Sequence, residues 1–321
     1  MEMALAFGKR KHYGMSIKRP VISVLMPVYN AEKYVAEAVE SILNQTFKDF
    51  EFIIINDGST DGSLTILKKY AEQDKRIRLV SRDNKGLIAT LNEGIELAHT
   101  PYIARMDADD ISLPERFEKQ YEYMEAHPEC VACGTSFQYI LPDGELGPTF
   151  TVPSEHHLID DSYMLKYKSF GLLHPTAILR RLSMLQINGY RNEFTYAEDN
   201  DLFLRLAEIG QLSNIIEVLF RYRIHPVNTK YTKRDIQRKS GEEGILQACE
   251  RRGVDKQIYI DMFSKQTGET SADENPYSSI AWMCLKVRNR KAAVKYAMSA
   301  LKIQPFNKES WRVLYCAVRG Y

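Results

Sequence analysis

The chain has 321 residues, 44% hydrophobic and 26% charged, a globular balance that excludes disorder as its default state. A net charge of +1 argues against nucleic acid as the main partner, and no apolar run is long enough to span a bilayer. Five cysteines without a disulfide-framework spacing, and a basic N-terminus without an apolar h-region, point to a cytoplasmic protein.

Residues 1–19 are polar, basic and aperiodic, and read as a mobile leader within which Met15 is an alternative start. Val21 to Met26 is a continuous apolar run stopped by Pro27, as expected of a buried parallel strand. Val35, Ala38, Val39 and Ile42 recur at helical spacing, and Phe50 to Ile55 forms the next strand, ending in Asn56-Asp57-Gly58-Ser59. A helix with Leu64, Leu67 and Tyr70 on one face follows, then a strand at Ile77 to Val80 and a helix from Gly86 to Ala98. The fourth strand, Tyr102 to Met106, ends in Asp107-Ala108-Asp109-Asp110. This alternation predicts an α/β fold: an open, mostly parallel Rossmann-like sheet with helices on both faces. In such sheets ligands bind beyond the carboxyl ends of the strands, where Asp57 and the Asp107/Asp109 pair both fall.

Three carboxylates within four residues repel one another unless a cation sits among them. On extended backbone Asp107 and Asp109 share a face and Asp110 points away. Hard oxygens at this spacing suit Mg2+ or Mn2+, and such ions usually hold a phosphate as well. The competing reading is an acidic turn before a helix, because Pro114 and Glu115 follow closely. Two acidic positions on one rim favour a site over packing. No G-x-G-x-x-G or G-x-x-x-x-G-K-[ST] follows any strand, which removes the best support for dinucleotide redox chemistry and P-loop hydrolysis. Cys130 and Cys133 form a lone C-x-x-C with no second ligand pair, so buried strand cysteines are expected there.

Residues 21–120 closely resemble the family 2 glycosyltransferases of the GT-A fold. The resemblance rests on Ser23 to Asn30, Ser41 to Thr46, Asn56 to Asp61, Asn84-Lys85-Gly86, Ala89 to Asn92, Arg105 to Asp110, and Pro114-Glu115-Arg116 with Gln120. It continues more loosely to about residue 230. It implies a nucleotide-sugar donor, with UDP the expected nucleotide, and a growing glycan or lipid-linked glycan as acceptor. Asp57 would accept a hydrogen bond from the base, flanked by Pro27 and Tyr29. Asp109 would ligate the metal, and Asp107 would contact the ribose or reach the metal through water.

Transfer to a hydroxyl also needs a base, and a carboxylate within hydrogen-bond reach can take the proton during attack. The family's Glu-Asp pair matches Glu198-Asp199, which makes Asp199 the expected base; Asn200 departs from the aromatic often found next to it. The competing reading is a set of acidic residues at a helix N-terminus. Relatives often carry histidines where His174 and His225 stand; His225 is the candidate to touch the diphosphate or metal, and a structural turn is the alternative for both. The reaction implied is single displacement with inversion. A sugar-nucleotidyltransferase would need a Gly-rich phosphate loop that Pro27 to Ala31 lacks, and a silent binding protein would tolerate loss of the acidic residues, which are all present.

Phe137 to Lys168 is expected to build the acceptor side of the cleft. The chain divides into the leader 1–19, a catalytic unit 20–230 and a helical extension 231–321. From Lys286 to Arg319 basic residues are interspersed with aromatics, with Glu309 the sole acid. Such helices either lie peripherally on an anionic membrane or pack against the catalytic unit and expose a solvated basic face.

Overall fold

The structure is a computed structural model that describes residues 20–165, 171–225, 233–266 and 275–319. The leader, Lys168, and the boundary near residue 230 lie outside the described residues. The first half alternates as its periodicity requires: β1 (Ile22–Val28), α1 (Val35–Leu43), β2 (Phe50–Asp57), α2 (Ser63–Gln73), β3 (Ile77–Arg82), α3 (Leu87–Leu97) and β4 (Tyr102–Arg105). A short β5 (Ile111–Ser112) and α4 (Arg116–Ala126) lead into the hairpin β6 (Cys130–Ile140) and β7 (Leu146–Phe150). Then come α5 (His156–Met164), a 3-10 turn at His174–Thr176, β8 (Ile178–Arg180), α6 (Arg181–Gln186), α7 (Glu198–Ala207) and β9 (Gln211–Arg223). Among the described residues five further helices follow: α8 (Arg234–Arg252), α9 (Gln257–Gln266), α10 (Pro276–Lys286), α11 (Arg290–Ile303) and α12 (Lys308–Arg319).

Among the described residues the strands form one sheet in the order β3-β2-β1-β4-β8-β6-β9-β5, with β7 paired to the Phe137–Ile140 end of β6. Strands β3, β2, β1 and β4 are mutually parallel. The strand order reverses at β1, whose connections lead first outward to β2 and β3 and then back across to β4 on its other side. A crevice opens at such a switch point, beyond Val28 and Arg105. Past β4 the sheet becomes mixed: β8 is antiparallel to both β4 and β6, while β9 runs parallel to β6 through several register shifts. The strict alternation expected from the first half therefore stops at β4. β8 has three residues and β9 is bulged, so neither has a clean two-residue period.

Pro27 sits inside β1 because β4 has already ended beside it. In register, the acceptor facing the position of its missing N–H would be the Met106 carbonyl, which the Arg105 guanidinium takes instead. Cys130 and Cys133 are buried on β6 as free thiols, as the strand reading required.

Two apolar layers cover the sheet. One packs α1, α2 and α4 with α10–α12; the other packs α3, α7, α8 and α9. Ile280, Cys284, Ala293, Tyr296 and Val313 thus belong to the same core as β1, and the final helices are docked on the catalytic sheet.

Candidate active site

Two loops at the crevice are zipped together by side chains of the Val28 to Ser63 region. Asn30, held in the left-handed region at φ 50°, accepts the Thr60 amide on its side chain at 2.8 Å. Ser59 accepts from the Asn30 amide, Ser63 from that of Ala31, and Asp61 from that of Glu32. Asn tolerates this backbone conformation better than most residues, which explains its place after Tyr29. Tyr29 itself is 55% exposed and packs in neither core layer.

Asp57 ends β2 with a buried carboxylate that closes the loop after β3. It pairs with Arg82 and accepts the amides of Lys85 at 2.8 Å and Gly86 at 3.0 Å. Arg82 is held in turn by Glu93 and Thr90. A carboxylate offers about four lone-pair sites, so these bonds leave one free. Asp57 therefore organises the Asn84-Lys85-Gly86 turn.

The acidic cluster departs from the extended geometry expected. The backbone turns at Ala108 and Asp109, and the turn brings the Asp110 carboxylate back toward the other two. Oxygens of Asp107, Asp109 and Asp110 lie within 4.8 Å of one another. The two-residue period that placed Asp110 on the opposite face holds only for a strand, and β4 stops at Arg105. Asp110 is buried and accepts the Arg223 amide at 2.7 Å on one oxygen, while the other has no partner among the described residues. Arg223 also donates to the Asp109 carbonyl at 2.7 Å, binds Glu37 and stacks on Tyr34. The last residues of β9 thus clamp the turn from behind. They also deliver His225, whose Nε2 lies 2.8 Å from Asp109 Oδ2.

The charge balance fits a cation. Burial, with Asp107 nearby, pushes Asp109 up to about 7, and burial with Asp109 and Asp107 pushes Asp110 well above the carboxylate range. Burial, Arg223 and Lys33 lower His225, so its imidazole stays neutral and keeps a lone pair. All-oxygen donors with one imidazole suit a divalent ion.

Arg105 carries the site from this cluster toward α7. Its guanidinium is buried, pairs with Asp107 at 2.6 Å and donates to the Met106 carbonyl. Its field acts on Glu198 and Asp199 at the N-terminus of α7 and on the buried Tyr190 and His174. Asp199 accepts the Asn200 amide at 2.8 Å; burial raises it, and Arg105 opposes the rise. Burial and Asp199 push Glu198 up to about 7. Tyr196, just before the pair, has φ 67°, an outlier for an aromatic side chain that fixes how the chain enters the helix. His174 lies buried in the 3-10 turn with Nε2 2.7 Å from the Tyr190 hydroxyl, a structural placement.

A folded-state rise in a carboxylate means that the native protein binds the extra proton. For Glu198, stability attributable to the group therefore falls as pH rises from about 4.5 to about 7. Glu198→Gln is expected to raise Tm at pH ~8 by several degrees, with little change at pH ~5, read by circular dichroism melting.

Residue types alone did not reveal Arg105, Arg223 or Arg116. Arg116 is fully buried, donates to the carbonyls of Arg105 and Ala177, and binds Gln120, which itself holds the Cys133 and Thr176 carbonyls. The Pro114-Glu115-Arg116…Gln120 block thus locks β4, β6 and the 3-10 turn together. The available signal was a charged residue, Arg105, inside an otherwise apolar strand.

With this geometry in place, the profile of Glycosyl transferase family 2 matches residues 23–186. This chain is a family 2 glycosyltransferase. The O-antigen biosynthesis glycosyltransferase WbnJ of Escherichia coli is 37% identical over 65% of this chain and 82% of its own length. Among solved structures, Staphylococcus aureus TarS in complex with UDP-GlcNAc superposes with a TM-score of 0.56 at 16% identity, covering 93% of this chain and 92% of that one. A mannosyltransferase from Pyrobaculum calidifontis in complex with GDP-Man and Mn2+ gives 0.53 at 18% identity, over 94% and 80%. These neighbours establish the GT-A fold; no helix among the described residues is long and apolar enough to cross a membrane.

Proposed function

We propose that this glycosyltransferase is metal-dependent and inverting, and that it moves a sugar from a UDP-sugar to a hydroxyl of a surface glycan or lipid-linked glycan. The observation carrying this reading is the continuity of one rim. The Asp109–His225 pair stands in the same acidic turn as Asp107, which pairs with Arg105, and the Arg105 charge acts in turn on Glu198 and Asp199. The WbnJ and TarS likenesses support the acceptor class and the uridine nucleotide.

In this reading Asp57 uses its remaining lone pair to accept the imide N–H of uracil, with Pro27 and Tyr29 beside the base. Asp109, His225 and the oxygens of Asp107 or Asp110 would hold Mg2+ or Mn2+, which supplies charge neutralisation at the diphosphate. The acceptor oxygen forms its bond to the anomeric carbon as the bond to the diphosphate breaks on the opposite face. The hydroxyl proton passes to Asp199, and the nucleoside diphosphate leaves with the bonding pair. Arg105 holds Asp199 nearer to ionisation than its burial alone would allow. Glu198, being close to half-protonated at neutral pH, keeps the second negative charge away from the base.

The test is a thermal-shift screen of nucleotide sugars with and without Mn2+. At ligand a hundredfold above Kd, mass action adds about 2.7 kcal/mol. A rise in Tm with UDP-sugars only when Mn2+ is present is expected. Equal stabilisation without the metal, or by guanosine donors alone, would overturn the metal or the nucleotide part of the proposal respectively.

A further inference from the structure

From Lys286 to Arg319 the sequence carries nine Lys or Arg against one acid, a local charge of +8 in a chain whose total is +1. All nine are exposed. Glu309, the one acid, is already engaged: it accepts from the Trp282 indole at 2.8 Å and pairs with Arg312. Lys302, Lys308 and Arg319 have no carboxylate partner among the described residues.

The same surface is apolar where these charges flank it. Phe306, in the turn between α11 and α12, is 95% exposed. Ile303 before it, and Trp311, Tyr315 and Val318 along α12, are each more than half exposed. Positions 311, 315 and 318 follow one stripe of the helix, opposite the buried Ser310, Val313 and Ala317. The Trp311 indole donates to the Pro305 carbonyl, which ties this stripe to the turn that carries Phe306.

The patch is rigidly mounted. The Asp143 amide donates to the Tyr296 hydroxyl at 3.2 Å, Lys295 pairs with Asp143, and Asn289 donates to Glu145, so the β6–β7 hairpin anchors α11.

We propose that α11–α12 form a docking surface for an anionic lipid bilayer. Phe306 and Ile303 would enter the headgroup–acyl boundary, Trp311 and Tyr315 would sit at its level, and Lys302, Lys308 and Arg319 would face the lipid phosphates. Charge decides the occupant: a second copy would set two basic faces of the same sign against each other. A nucleic acid would use the lysines but leave the aliphatic Ile303 and Val318 unburied. This inference concerns the surface alone and stands apart from the reaction proposed above.

The test is co-sedimentation of the full chain with vesicles of phosphatidylcholine, alone or with about one third phosphatidylglycerol. Binding to the anionic vesicles, lost in high salt and absent on the neutral ones, is expected. Each Lys or Arg near such a surface changes partitioning by about fivefold, so Lys302→Glu with Lys308→Glu and Arg319→Glu should reduce it at least ~100-fold. Ile303→Ser with Phe306→Ser should reduce it about tenfold or more, with an unchanged melting curve, because neither side chain belongs to the core. Four results would each overturn the proposal. They are no sedimentation with anionic vesicles, equal binding to neutral ones, wild-type partitioning of both variants, or tighter retention of the chain by a single-stranded oligonucleotide than by the vesicles.

Discussion

Asp199→Asn is expected to lower the rate of sugar transfer by about 10²–10⁴-fold while leaving donor binding unchanged, because it removes proton abstraction and little else. The amide keeps the shape of the side chain and can still accept the Asn200 amide through its oxygen. The measurement pairs release of free UDP with the Mn2+-dependent thermal shift on the same preparation. Retained transfer would remove Asp199 as the base; a lost thermal shift would show instead that the side chain holds the donor.

Asp109→Asn is expected to have two opposite effects. It should abolish the metal-dependent stabilisation by donor and cut turnover by about 10³-fold, since a Lewis acid at a departing diphosphate contributes several kcal/mol to the transition state. It should also raise the metal-free Tm at pH ~8. In the folded protein Asp109 is pushed up to about 7 by burial and by Asp107, so above that pH its charge opposes folding. The gain should vanish near pH ~5, where the wild-type carboxyl is already protonated. Isothermal titration with Mn2+ alone, set beside melting curves at the two pH values, separates the effects. Unchanged Mn2+ affinity would exclude Asp109 from the metal site, whatever the activity.

The parallel half of the sheet was legible because β1 and β2 are buried apolar runs and the helix between them shows a four-residue stripe. Val35, Ala38, Val39 and Ile42 are all buried, as their spacing demanded. The ends of those strands form the rim on which Asp57, Asp107 and Asp109 stand. The mixed half was not legible. β8 has three residues and takes its place from the partners it finds in β4 and β6. Asp110 was misplaced for a related reason: a strand rule was extended past the strand's last residue.

The sequence by itself determined a Rossmann-like sheet, an acidic rim and the chemistry of a family, because local periodicity and short motifs are written in neighbouring residues. Only the tertiary structure decided which charges meet. Arg105 reaches from Asp107 toward Glu198 and Asp199, 93 and 94 positions further on. Arg223 and His225 return from the far end of β9 to clamp and face Asp109. Contacts across such separations are fixed by strand order and packing, and no local pattern encodes them.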